Sequence, residues 1–272
     1  MKILIKGAGD LASGIALRLF HSGFQIMMTE LAVPTTVRRT VAFSRAVYEE
    51  TAMVEEVQGV LCEDLEQAEQ IIAEEKIAVL IDETGETAGA WQPDVVVDAI
   101  LAKKNLGTAI TDAKLVIGVG PGFTAGTDCH VVVETKRGHT LGRCIWKGSA
   151  IANTGVPGVI GGYDKERIIR ATADGVFHGA VSIGKLVEKG DLVGYAGESP
   201  IYAQVSGVVR GLLQDKVLVY QGMKSGDIDP RGVVEHCFTV SDKALAIGGG
   251  VLEAVMAGCK KGILRNCDEG GI

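Results

Sequence analysis

The chain opens on a solid apolar run, Ile3-Leu-Ile5, held between Lys2 and Lys6, which predicts a short buried strand. Gly7-Ala-Gly-Asp-Leu-Ala-Ser-Gly14 follows at once. Leu11, Ile15 and Leu19 then recur at helical spacing, with Ala12 and Ala16 beside them, so a helix runs from about Asp10. His21, Ser22 and Gly23 end it, Gly23 suiting the left-handed position after a helix. Phe24–Thr29 is a second strand closed by Glu30, and this β-turn-α-β unit should have parallel strands and a right-handed connection. Further apolar runs predict strands at Ala78–Ile81, Val95–Val97, Leu115–Val119 and Val131–Val133, with a helix from Leu65 to about Glu75. Apolar strands alternating with helices predict a Rossmann-type, doubly wound α/β sheet over residues 1–137.

Beyond Thr135 the pattern shifts to short strands and frequent glycine, with a glycine-rich connection over 138–167. A shift of 32 places then pairs Ala171, Gly175, Val176, Gly179, Leu186, Val187, Gly190 and Gly194 with identical residues. Two copies of a strand–turn–strand unit, each too small to fold alone, would bury their apolar faces against each other over 168–230. That pattern predicts a small barrel-sandwich-hybrid β domain and resembles lipoyl and biotinyl carrier domains. The hairpin joining the copies is Gly197-Glu198-Ser199-Pro200, without a lysine, which argues against a swinging arm. In the last segment, 231–272, Ser241 reads as an N-cap for a helix over 241–257 that Gly258 closes. Its Gly248-Gly249-Gly250 weakens a helix by roughly 1 kcal/mol per glycine, so either tight packing or a break is expected there.

Composition narrows the function classes. Apolar residues make up 47% of 272 and the net charge is −7, so a packed core is expected and a basic nucleic-acid or membrane surface is not. With no secretory signal and no run of 18 apolar residues, the expectation is a cytoplasmic protein without a membrane span. Cys62, Cys129, Cys144, Cys237, Cys259 and Cys267 contain no CxxC pair, which predicts six reduced thiols and no metal site. Self-association is left open.

The candidate chemistry concentrates at Gly7-x-Gly9-x-x-Ala12. Gly7 permits a tight turn, Gly9 lets the backbone approach a pyrophosphate, and Ala12 is small enough for helix–strand packing. Asp10 opens the helix whose dipole would face the phosphates. Glu30, 23 residues after Gly7, could accept hydrogen bonds from ribose hydroxyls. A second glycine loop, with Gly118, Gly120 and Gly122, follows another strand and is expected to face the same crevice, as an anion nest or as a compact turn. Asp82 and Asp98 fall at strand ends, where each could act as a base, although helix capping is the more economical role for either. Arg38 and Arg39 could meet a phosphate, but a solvated helix face fits them slightly better. In Cys129-His130 the two side chains should point to opposite faces of a strand, which favours His130 facing the crevice over a Cys129 nucleophile. The candidate catalytic residues are therefore Asp98 and His130.

Several segments in one order carry a resemblance over nearly the whole chain: Gly7–Gly14, Val97–Lys103, Gly118–Gly126, His130–Thr135, Arg137-Gly-His139, Asn153-Thr-Gly155, Ile228–Gly232 and Ser241–Glu253. The chain resembles the YqeB-like family of accessory proteins for selenium-dependent molybdenum hydroxylases. The resemblance implies a role in maturing a partner hydroxylase of the xanthine dehydrogenase type, a pathway more than a reaction. It also implies that position 129 accepts aliphatic residues. Three readings follow. One is a maturation factor holding a dinucleotide-like cofactor, either NAD(P)-like or a molybdopterin dinucleotide. The others are an NAD-dependent oxidoreductase and a scaffold for the hydroxylase.

Overall fold

The computed structural model describes residues 1–153, 155 and 161–264. The chain begins β1 (Lys2–Lys6), α1 (Asp10–Phe20), β2 (Gln25–Glu30), α2 (Ala46–Glu49), β3 (Thr51–Val54) and β4 (Val57–Cys62). It continues α3 (Leu65–Ala73), β5 (Ile77–Ile81), α4 (Thr87–Trp91), β6 (Val95–Asp98) and β7 (Leu115–Val119). After β8 (Thr124–Ala125) come β9 (Val131–Val133), β10 (Cys144–Ile145) and β11 (Gly148–Ser149). Nine of these strands make one sheet in the order β10-β9-β7-β6-β1-β2-β5-β4-β3. Its interior pairs are parallel, while β3 and β10 run antiparallel at the two edges.

The second half supplies β12 (Ile168–Arg170), β13 (Gly175–Gly179), β14 (Leu186–Val187), β15 (Leu192–Ala196) and β16 (Ser199–Tyr202). Then follow β17 (Gly207–Leu212), β18 (Leu218–Val219), β19 (Lys224–Asp229) and finally α5 (Asp242–Lys260). These strands form two four-stranded sheets, β12-β19-β17-β14 and β16-β15-β13-β18, and every pairing in them is antiparallel.

The expected Rossmann-type doubly wound sheet joined to a barrel-sandwich domain is therefore corrected. The large sheet is mixed. Val54 and Val57 are joined by a two-residue turn with Glu55 at φ +51°, far too short for the crossover that a parallel neighbour requires. The internal repeat is real in sequence, yet its copies exchange strands, so first-copy β14 pairs with second-copy β17 and first-copy β13 with second-copy β18. The matched glycines explain part of it. A Cβ at Gly207 would stand 2.3 Å from the Asp229 carbonyl oxygen, a backbone approach that only glycine allows.

The large sheet is covered on both faces. Ile3, Ile5 and Val97 meet α1 and α5 through Ile15, Leu19, Ile247 and Val251, and Leu4, Met27 and Val96 meet α3 and α4 through Ala68, Ile71 and Trp91. The C-terminal helix thus belongs to the core of the first sheet. It runs unbroken through the three glycines, because Gly248 and Gly250 sit where a Cβ would strike Gly14 O at 2.7 Å and Gly142 O at 2.0 Å. Among the described residues no helix is long and apolar enough to cross a membrane. Cys259 takes part in a disulfide, which corrects the expectation of six reduced thiols; Cys267, like Thr154 of the Asn153–Gly155 segment, lies outside the described residues.

Candidate functional site

A crevice of about 740 Å³ opens at the carboxyl ends of β1, β2, β5 and β6, where a parallel sheet leaves strand ends and helix N-termini pointing the same way. Gly7, Gly9, Asp10, Ala12 and Glu30 all line it. Gly7 holds φ +91° and a Cβ there would stand 3.0 Å from the Ala99 carbonyl oxygen, so both the turn and the neighbouring strand end need glycine. Gly9 differs. It is the N-cap of α1 in ordinary extended geometry (φ −67°, ψ 179°), without any side-chain cap, and a Cβ would meet only Thr36 Oγ1 at 3.4 Å. The first backbone bond of α1 is Ser13 N to Gly9 O, so the N–H groups before it face the crevice mouth as donors.

Glu30 does more within the protein than a ribose acceptor would. Its Oε2 accepts from the Ala8 N–H at 3.0 Å and its Oε1 from the Leu31 N–H at 2.8 Å. The carboxylate thereby braces the glycine turn, and burial raises its pKa against the lowering effect of these two donors. Asp82 also lines the crevice, with four donors on its carboxylate: Thr84 N and Oγ1, Gly85 N and Thr87 N. Burial alone would raise its pKa, but these donors outweigh it and hold the group at about 2, the signature of a turn and helix-start cap.

The crevice floor is a network that ties the candidate Asp98 to Lys6, Thr108 and Asp112, which no motif marks. Lys6 Nζ donates to Thr108 Oγ1 (3.0 Å) and Asp112 Oδ2 (2.9 Å), and the Thr108 hydroxyl donates to Asp98 Oδ2 (2.7 Å). Asp98 itself is 2% exposed and stands behind Thr108, its pKa raised by burial. It can position Thr108 but does not reach the crevice surface. Exposed Leu31, Ile100, Leu106 and Tyr220 give the rim apolar surface.

The remaining candidates lie elsewhere. Gly118, Gly120 and Gly122 do not line the crevice. Added Cβ atoms would strike Phe123 at 2.5 Å, Thr135 Oγ1 at 2.8 Å and Lys104 backbone at 2.7 Å, so their smallness compacts the loop. His130 is placed at the opposite, amino-terminal end of the strands, where its Nδ1 accepts from the Val116 N–H at 3.0 Å. It precedes β9 and faces away from the crevice because parallel strands put all their carboxyl ends on the other side. Cys129 is fully buried and its thiol is pushed up to about 11 by that burial, which suits an inert core residue. Arg38 is buried, not solvated: Nη2 donates to the carbonyls of His236 (2.8 Å) and Thr239 (3.2 Å). Arg39 Nε donates to Leu212 O at 2.8 Å, tying the loop after β2 to the second half of the chain.

No protein-family model matches the chain. The chain has 49% identity over 261 residues to "Uncharacterized protein YqeB" of Escherichia coli (strain K12), a match covering 96% of this chain and 48% of that protein. It thus spans about half the length of that relative. Among solved structures, an aspartoacylase family protein from Mesorhizobium loti aligns over 84% of this chain and 83% of its own at 13% identity, with a TM-score of 0.25. A succinylglutamate desuccinylase from Silicibacter sp. TM1040 aligns over 84% of each chain at 14% identity, again with a TM-score of 0.25. Likenesses that slight bring neither fold nor chemistry across. The sequence match, in contrast, supports placing this chain with the YqeB-like proteins.

Proposed function

We propose that the chain binds a dinucleotide-like ligand in the crevice at the carboxyl ends of β1, β2, β5 and β6, and that it serves as an accessory protein in maturing a molybdenum hydroxylase. The observation that carries the binding reading is Gly9. Its Cβ position meets only the Thr36 hydroxyl, at 3.4 Å, and it lies beside N–H groups of α1 that no earlier turn can satisfy. Space for a ligand and donors for its phosphates coincide there. The rim residues Ile100, Leu106 and Tyr220 offer an apolar face to a base, and the crevice is large enough for a nucleotide-sized molecule. The hydroxylase partner, its selenium dependence and the molybdopterin ligand come from the resemblance of the motif segments to the YqeB-like accessory proteins.

Calorimetry with NAD, NADP, cytidine nucleotides and a molybdopterin dinucleotide tests the binding reading. One of them should bind the parent chain, and Gly9→Val should abolish that binding without unfolding the protein. If none binds at millimolar concentration, the glycine turn is structural and a scaffold role, consistent with Glu30 being engaged inside the turn, takes its place. The pathway has its own test. Deleting the gene in its host should leave the partner hydroxylase expressed but inactive and short of intact cofactor; full activity in the deletion strain refutes the maturation role.

A further inference from the structure

A second crevice, of about 500 Å³, adjoins the first and shares Asp10, Leu11, Val37 and Lys224 with it. Among the described residues its lining carries seven basic side chains against two acidic ones, Asp10 and Asp227, in a chain whose net charge is −7. Four of the bases are arginines already engaged. Arg210 and Arg167 converge on the buried Asp227, and Arg137 pairs with Asp242. Arg38 is 7% exposed, and its Nη1 lies 3.8 Å from Asp10 Oδ2.

The lysines are different. Among the described residues, Lys136, Lys224 and Lys243 form no ion pair. Lys243 stands in the first turn of α5, where the helix dipole disfavours a cation, and the Arg137 guanidinium is a neighbour of like charge. Burial first, and then that neighbour, lower the pKa of Lys243 against the opposing pull of Asp10, Glu134 and Asp242, while Lys224 keeps an exposed side chain at the seam of the two crevices. Such an arrangement costs the ligand-free protein stability. An oxyanion between the lysines would relieve it, and guanidinium forks and ammonium groups are the donors that phosphates take.

We propose that this second crevice is a phosphoryl-binding site, separate from the glycine turn, in which Lys136, Lys224 and Lys243 hold the oxyanion over a base of paired arginines. The occupant is free pyrophosphate or the phosphoryl end of a larger ligand reaching across from the first crevice. The claim does not depend on the nucleotide reading, since a phosphoryl group can be bound here whether or not the first crevice is filled.

The test titrates inorganic phosphate and pyrophosphate into the full chain at low ionic strength, read by calorimetry and by melting temperature. Pyrophosphate should bind and raise the melting temperature in proportion to the logarithm of its concentration. Lys243→Gln should weaken it by about tenfold, as expected for losing one charged hydrogen bond. It should also raise the melting temperature of the ligand-free protein, which a merely structural lysine would not do. Lys136→Gln, on an exposed side chain, should weaken binding without moving the ligand-free melting temperature. Gly9→Val should leave pyrophosphate binding intact, separating this site from the first crevice. A parallel titration with adenosine diphosphate identifies the source: sensitivity to both Gly9→Val and Lys243→Gln places its phosphoryl end here, and sensitivity to Lys243→Gln alone points to a free oxyanion. If neither phosphate nor pyrophosphate binds at millimolar concentration, or if both lysine variants bind as the parent does, the proposal is wrong.

Discussion

Gly9→Ser separates what the first glycine turn does for the fold from what it does for a ligand. Gly9 caps α1 with φ −67° and ψ 179°, a conformation serine adopts freely, and its Cβ position has only Thr36 Oγ1 nearby, at 3.4 Å. A serine there can accept from the Leu11 or Ala12 N–H, supplying the side-chain cap that the native helix lacks. Serine exceeds glycine as a cap by a few tenths of a kcal/mol. Restricting the unfolded chain adds about 0.4–1 kcal/mol. The variant should therefore be more stable by about 0.5–1.5 kcal/mol, and at about 2–4 °C per kcal/mol for a chain of this size it should melt up to a few degrees higher. The same hydroxyl occupies a donor meant for the ligand. A hydrogen bond to a charged phosphate contributes about 1.5–3 kcal/mol, so affinity should fall roughly ten- to a hundredfold.

Thermal unfolding and calorimetry on one preparation read both quantities. Gly7→Ala is the contrast. Its φ of +91° costs an L-residue about 1–2 kcal/mol, and the Ala99 carbonyl oxygen at 3.0 Å leaves the methyl no room, so stability should drop. A Gly9→Ser protein that is stabilised yet binds its nucleotide as tightly as the parent would show that the α1 donors take no part in recognition.

Three further outcomes follow from the same geometry. Gly249→Ala should stabilise α5 by about 1 kcal/mol, since nothing lies within 4 Å of its Cβ position, while Gly250→Ala should destabilise by about 1–3 kcal/mol or more against Gly142 O; urea midpoints that move together contradict this. The pKa of Asp82 is depressed in the folded state, so its contribution is present above the usual carboxylate range and is lost as pH falls from about 4 towards about 2; Asp82→Asn should flatten stability across that window, and an unchanged acid limb would count against it. Cys129 should resist alkylation in the native protein at pH values well below about 11, and Cys129→Val should keep ligand binding, so rapid labelling or lost affinity would return the thiol to candidacy.

What the residue pattern revealed and what it hid divide along sequence distance. The β1–α1–β2 unit was legible because its apolar periodicity, its glycine turn and Glu30 all lie within 30 residues, and local spacing fixes their relation. The edges of the sheet were not, because β3 and β10 are short, two to four residues, and their direction depends on turns with little signal of their own. The repeat at a 32-residue shift was visible, but a repeat does not say which strands pair, and here they pair across copies. The floor of the crevice joins Lys6 to Thr108 and Asp112, more than 100 residues away, so only the folded chain brings them together. His130 failed as a crevice residue for a simpler reason: it precedes its strand instead of following it.

The two crevices together make a constraint on the ligand that neither makes alone. In the first, among the described residues, Asp10, Glu30, Asp82, Glu83 and Asp112 stand against Lys6 and Lys224, so its negative potential suits uncharged groups better than phosphates. In the second the balance is reversed. The N-terminus of α1 lies at their junction, since Asp10 and Leu11 line both. A molecule with phosphate at one end and a nucleoside-like, neutral end at the other would match this gradient along its length. Turned end for end, it would bring its phosphates against five carboxylates. Opposed potentials of this kind discriminate between orientations more strongly than they add affinity. Raising the salt concentration should therefore weaken binding mainly through the phosphoryl end, and the loss should shrink in Lys243→Gln, where one of the charges that salt screens has gone. A salt dependence equal in the parent and in Lys243→Gln would mean that the phosphoryl end does not reach the second crevice.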